Sequence, residues 1–166
     1  MRAALVSPIL ALGALLLGLA QPALAAPAVS AVKVSIGPAL ADKVDEIGDR
    51  DLDNLTAELR RTIERRLPAS AEGGVLTLVI DDARSNRPTA QQMMTTQGLS
   101  MESFGNGGAT ISGDYVDPTG QRTPIAYSWY GDDIRWARYS STWHDAEDAF
   151  DRLADRLAKD QFTAKR

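Results

Sequence analysis

Val75-Leu76-Thr77-Leu78-Val79-Ile80 is an unbroken apolar run held between Gly73-Gly74 and Asp81-Asp82. It is too short for a core helix and rich in β-branched residues, so it predicts a central strand, buried on both faces. Its neighbours narrow the topology. Upstream, Leu52, Leu55, Leu59, Ile63 and Leu67 recur at spacings of three and four, one apolar stripe on a helix. Asp49, Asp51 and Asp53 lie near its start and Arg60, Arg61, Arg65 and Arg66 near its end, which complements the helix dipole; Pro68 stops it. Before that, Val32, Val34 and Ile36 alternate with Lys33 and Ser35, a half-buried strand ended by Gly37-Pro38. Pro38 opens one short helix carrying Leu40, Val44 and Ile47, closed by Gly48.

Downstream, residues 84–107 carry no strand pattern and are long for a connection. Pro88 to Gln97 reads as a short helix, and Met93, Met94, Leu99, Met101 and Phe104 predict an apolar flap over the sheet. Strands over 109–117 and 121–130 then flank Asp117-Pro118-Thr119-Gly120, with Pro and Gly where a type I turn favours them. Ile125, Tyr127 and Trp129 share one face of the second strand, and Pro124 places that strand at an edge. Residues 134–140 fit strand and turn equally. The last helix begins near Thr142, with Asp145 as a capping residue three positions on, and buries Trp143, Ala146, Phe150, Leu153 and Leu157; the tail beyond Lys159 is expected to fray. The order β-α-β-(α)-β-β-α predicts an α+β fold: a mixed sheet of about four strands with two main helices packed on one face.

The N-terminus sets the destination. Arg2, the apolar run Ile9–Ala20 and Ala23-Leu24-Ala25 form a secretory leader, shorter than the ~20 residues that span a bilayer, with cleavage expected after Ala25. Residues 1–25 are therefore read as a signal peptide and 26–166 as a single domain, periplasmic or secreted, with no membrane anchor after cleavage. The 166 residues contain no cysteine, which excludes disulfides, a thiol nucleophile and thiolate metal ligands. With a net charge of −4, the chain lacks the basic stripe that nucleic-acid binding requires.

Chemistry-bearing patterns are sparse. His144 is the one histidine, and no second imidazole or thiolate completes a metal site with it. Met93, Met94 and Met101 are read as packing residues. No serine sits in a nucleophile elbow, and no phosphate loop or dinucleotide fingerprint occurs. Asp81-Asp82 and Asp132-Asp133 are the carboxylate pairs that a cell-wall hydrolase would need, but they fall at strand ends and turns, where Asp is expected anyway. The chain is read as non-enzymatic, with no cofactor.

Aromatic residues are more informative. Eight of the ten lie between 115 and 150, interleaved with Arg135 and Arg138. Tyr130, Trp136 and Tyr139 fit neither the strand stripe nor the helix stripe. With Arg135 and Arg138 they form the candidate partner-binding patch, a composition used by protein interfaces and by sugar-stacking platforms.

Gly107-Gly108-Ala109-Thr110-Ile111-Ser112-Gly113-Asp114, the turn Asp117-Pro118-Thr119-Gly120 and the closing helix with Trp143, Ala146, Phe150, Ala154 and Leu157 resemble small exported bacterial envelope proteins of unknown function. The element order is similar to that of the amino-terminal domain of TolB. The resemblance implies an exported envelope protein, carries over no catalytic residue, and extends to lipoproteins whose anchoring Cys this chain lacks. The reading is an accessory protein docking another envelope protein through the 130–139 patch or the 84–107 flap. The alternatives are a peptidoglycan- or glycan-binding module on the same aromatics, and a cell-wall hydrolase.

Overall fold

The computed structural model describes residues 26–162; the leader and its cleavage point lie outside the described residues. Strand β1 (Val29–Ile36) leads through two single turns, α1 (Pro38–Ala41) and α2 (Val44–Ile47), into the long helix α3 (Asp49–Arg66). Two short turns replace the one expected helix. Strand β2 (Gly74–Arg84), helix α4 (Ala90–Thr95) and the hairpin β3 (Gly108–Val116) and β4 (Arg122–Tyr130) follow. A single turn, α5 (Ile134–Ala137), and helix α6 (His144–Leu157) complete the fold, so the ambiguous 134–140 segment is helical at its start.

The sheet runs β1-β2-β3-β4. β1 and β2 are parallel, since α3 supplies the long crossover that a parallel pair needs, and the other two pairings are antiparallel. This is the expected α+β architecture with a mixed four-stranded sheet. Register places Leu76, Leu78 and Ile80 beside Val32, Val34 and Ile36 on one side and Tyr115, Gly113 and Ile111 on the other. That row faces α3 and α6, whose Leu55, Leu59, Ile63, Phe150, Leu153 and Leu157 are buried against it. Each such side chain contributes about 1.5–3 kcal/mol by leaving water.

The other sheet face carries no helix. Val75 and Val79 are half-buried there and Thr77 is exposed, so β2 is buried on one face, not on both. β-Branched residues suit a half-buried pleated surface, and here they erase the alternation that would have shown it. Gly113 sits mid-sheet with φ +157°, and a Cβ built on it would lie 2.0 Å from the Thr77 carbonyl oxygen.

Three further expectations change. The flap does not cover the sheet: α4 packs on α2, where Gln91 and Gln92 bond the Asp45 carbonyl and Glu46, because α3 and α6 already fill the apolar face. The last helix starts at His144 without a side-chain cap, and Asp145 turns instead to the 105–107 loop. The tail does not fray before Phe162, which stacks on Tyr115 with ring centroids 5.5 Å apart after Asp160 reverses the chain at φ 57°. The hairpin turn is as expected, with the Gly120 N–H bonded to the Asp117 carbonyl.

On the open face, Asp82 accepts from Lys43 Nζ at 2.9 Å and from the Tyr130 hydroxyl at 2.8 Å. Burial pushes the Asp82 carboxyl up, but these two hydrogen bonds and the Lys43 and Arg84 charges outweigh it and hold the carboxyl below its ordinary value. A depressed folded pKa contributes stability that is present above the unfolded value of about 3.9 and lost as pH falls through the folded one. Asp82→Asn is therefore expected to lower the urea midpoint at pH 7, with the difference from wild type closing as pH falls through the lowered pKa of the folded carboxyl.

Candidate functional site

At one end of the sheet, where β2 and β4 finish and β3 begins, Asn86 is fully buried and completely bonded. Its Nδ2 donates to the Gly105 carbonyl at 3.1 Å and to Asp145 Oδ2 at 2.7 Å, and its Oδ1 accepts the Asp145 N–H at 2.8 Å. Asp145 Oδ2 also accepts the Gly107 N–H at 2.8 Å, and the Gly107 carbonyl accepts the Gly131 N–H. Gly131 has to lack a side chain, since a Cβ there would stand 2.4 Å from Asp145 Oδ2. One amide thus joins the end of β2, the loop before β3, the end of β4 and the first turn of α6.

Next along the chain, the half-buried Arg87 bonds three carbonyls: Ser140 through Nε at 2.8 Å, Met101 through Nη1 and Arg138 through Nη2. Its guanidinium fork ties the 99–104 loop to the segment carrying α5. At the other end of α5, the Asp133 carboxylate accepts the Arg135 N–H at 3.0 Å and pairs with the Arg135 guanidinium at 2.6 Å. α5 is a single turn held from outside.

The two clamped segments carry six of the seven large apolar side chains that stand exposed among the described residues: Leu99, Met101 and Phe104 on one, Ile134, Trp136 and Tyr139 on the other; the seventh, Met94, lies on α4. Trp136 is 73% exposed and Tyr139 80%. Trp136 and Tyr139 open onto a cleft of about 380 Å³, lined also by Trp129, by Asp132, Asp133, Asp145 and Asp148, and by His144. The Arg152 guanidinium lies over the Trp129 ring, 4.5 Å from its centroid.

The expected patch therefore divides. Trp136 and Tyr139 come together at the cleft. Arg135 is exposed and paired with Asp133, while Arg138 contributes a carbonyl to the Arg87 clamp. Tyr130 points to the open sheet face, bonded to Thr110 and Asp82 with Arg84 over its ring, and does not join the other four. Strand alternation explains this: Trp129 takes the helix side of β4, so Tyr130 takes the other. Sequence reasoning missed Arg87, Asn86 and Asp145; a conspicuous Ser85-Asn86-Arg87-Pro88 turn composition was the signal available.

The carboxylate pairs also part company. Asp82 is committed to Lys43 and Tyr130 and Asp133 to Arg135, and of the two pairs only Asp132 and Asp133 line the cleft. Among the described residues no His, Asp and Glu side chains cluster in a way that could hold a metal ion, and no helix is long and apolar enough to cross a membrane.

Arg87→Ala is expected to leave the core intact and loosen both segments. Limited proteolysis should then cut within 99–104 and 134–140 several-fold faster than in wild type, with circular dichroism unchanged.

No protein-family model and no curated protein matches the sequence. Among solved structures, one that the chain is similar to is rare lipoprotein B from Shewanella oneidensis, with 12% identity over 78% of this chain and 92% of that one, at a TM-score of 0.33. A likeness at that level carries no argument about this chain's activity.

Proposed function

We propose that this chain is an exported, non-enzymatic accessory protein that docks another protein of the bacterial envelope with the end of the molecule carrying Trp136 and Tyr139. The observation that supports it most is the gathering of six of the seven exposed large apolar side chains among the described residues onto two segments joined by one arginine. Exposed apolar side chains scattered singly need no explanation, whereas a set collected at one end of a fold marks an interaction surface. Aromatic side chains of this kind are the usual anchors of protein interfaces. The leader pattern supports export.

The test is a cross-linked pull-down of the tagged protein from intact envelopes. A dominant protein partner captured by wild type should fall at least tenfold with Trp136→Ala/Tyr139→Ala, while the variant keeps its melting temperature. Equal capture by that variant would remove the docking surface from this end of the fold.

A glycan-binding reading is favoured by the same cleft, where three aromatic rings stand beside two carboxylates able to accept from sugar hydroxyls. It predicts co-sedimentation with purified cell wall, abolished by Trp136→Ala. Hydrolysis of cell-wall fragments that disappears with Asp132→Asn would instead reveal a catalyst.

A further inference from the structure

The docking end is apolar on its outer surface, but the cleft it opens onto is charged. Its charged lining residues are four aspartates, with His144 at the rim and no lysine or arginine. Two of these carboxylates are already satisfied: Asp133 by the Arg135 guanidinium, Asp145 by the Asn86 amide and the Gly107 N–H. Asp132 and Asp148 take part in none of these bonds, and they share the cleft with Trp136 and Tyr139. Two carboxylates beside exposed aromatic faces attract a cation twice, through Coulomb attraction and through the negative face of the ring. Trp129, in the same cleft, already holds the Arg152 guanidinium over its ring in this way. A planar guanidinium can stack on an aromatic face while donating in-plane hydrogen bonds to a carboxylate, which an ammonium cannot do.

We infer that the cleft takes one basic side chain of the docking partner, arginine in preference to lysine, stacked against Trp136 and Tyr139 and hydrogen-bonded to Asp132 and Asp148. This rests on the docking reading above and specifies its chemistry. The apolar side chains of the 99–104 and 134–139 segments then seat the residues flanking that arginine, and the carboxylates select the partner by charge.

The probe is a set of blocked tripeptides, acetyl-Gly-Arg-Gly-amide with its Lys and Gln counterparts, titrated into the full-length protein while the indole N–H resonances are followed by NMR. The Arg peptide should shift the Trp136 signal saturably, the Lys peptide more weakly and the Gln peptide not at all. Raising NaCl from 50 mM to 0.5 M should weaken the Arg peptide several-fold. Asp132→Asn/Asp148→Asn should weaken it at least fivefold, in a variant whose other resonances stay in place. Equal shifts with the Gln peptide, unchanged affinity in the neutralised variant, or salt-independent binding of an N-acetylglucosamine trimer at the same resonance would each overturn the inference. Envelope capture separates the two levels. Partner capture lost with Trp136→Ala but intact in the Asp132→Asn/Asp148→Asn protein would keep the docking surface and discard the basic side chain.

Discussion

Asn86→Ala is expected to cost about 3 kcal/mol of folding stability, because it removes three buried hydrogen bonds and leaves the Gly105 carbonyl, the Asp145 N–H and one bond to the Asp145 carboxylate unmade. Urea denaturation at neutral pH measures it, as a large drop in midpoint at unchanged slope. Asn86→Asp should be no better. It keeps the shape but removes both Nδ2 donors and sets a second carboxylate against Asp145. Asp145→Asn is the informative contrast. An amide oxygen there can still accept from Asn86 Nδ2 and from Gly107, so the loss should stay near 1 kcal/mol. Equal losses at Asn86→Ala and Asp145→Asn would mean that the charge, and not the hydrogen-bond geometry, holds the node.

Gly113→Ala should be the most damaging glycine-to-alanine change among the described residues. The added Cβ would meet the Thr77 carbonyl oxygen at 2.0 Å and the Leu78 Cα at 3.0 Å, both backbone atoms of the central strand. Neither can rotate away as a side-chain tip could. Relief requires β2 and β3 to separate where Leu78 and Gly113 are paired, at a combined strain and overpacking cost on the order of 3–5 kcal/mol. Gly105→Ala is the control, since nothing stands within 4 Å of its Cβ, and it should stay within about 0.5 kcal/mol of wild type. Thermal melts of the two variants side by side decide the matter. A Gly113→Ala protein that melts with wild type would show that the pairing of β2 and β3 is looser than the structure has it.

Both effects bear on how the fold relates to its sequence. The helices α3 and α6, the strands β1 and β2 and the β3–β4 hairpin are legible because their signals are local: a 3.6-residue stripe, strand patterns, and a Pro-Gly turn. The one-sided burial of β2 is not, because Val75 and Val79 are apolar on a face that no helix covers. The functional end is legible only in part. Tyr130, Trp136 and Tyr139 all stand out by fitting no stripe, but strand alternation sends Tyr130 to the opposite face of the sheet. For Asn86 and Arg87 the sequence offers only a turn composition, since the partners that define their roles lie 14 to 59 residues away. The flap and the aromatic patch are alternatives for docking in the sequence, and the Arg87 bonds to the Met101 and Arg138 carbonyls join the two segments into one proposed surface.

The most direct measurement of that surface is site-specific photo-crosslinking in intact envelopes, with a photoreactive residue placed in turn at Met101, at Trp136 and at Lys33 on the exposed edge strand. Adducts to the same protein from positions 101 and 136, with none from 33, are the expected result. Adducts from position 33 alone, or from none of the three, would contradict the account.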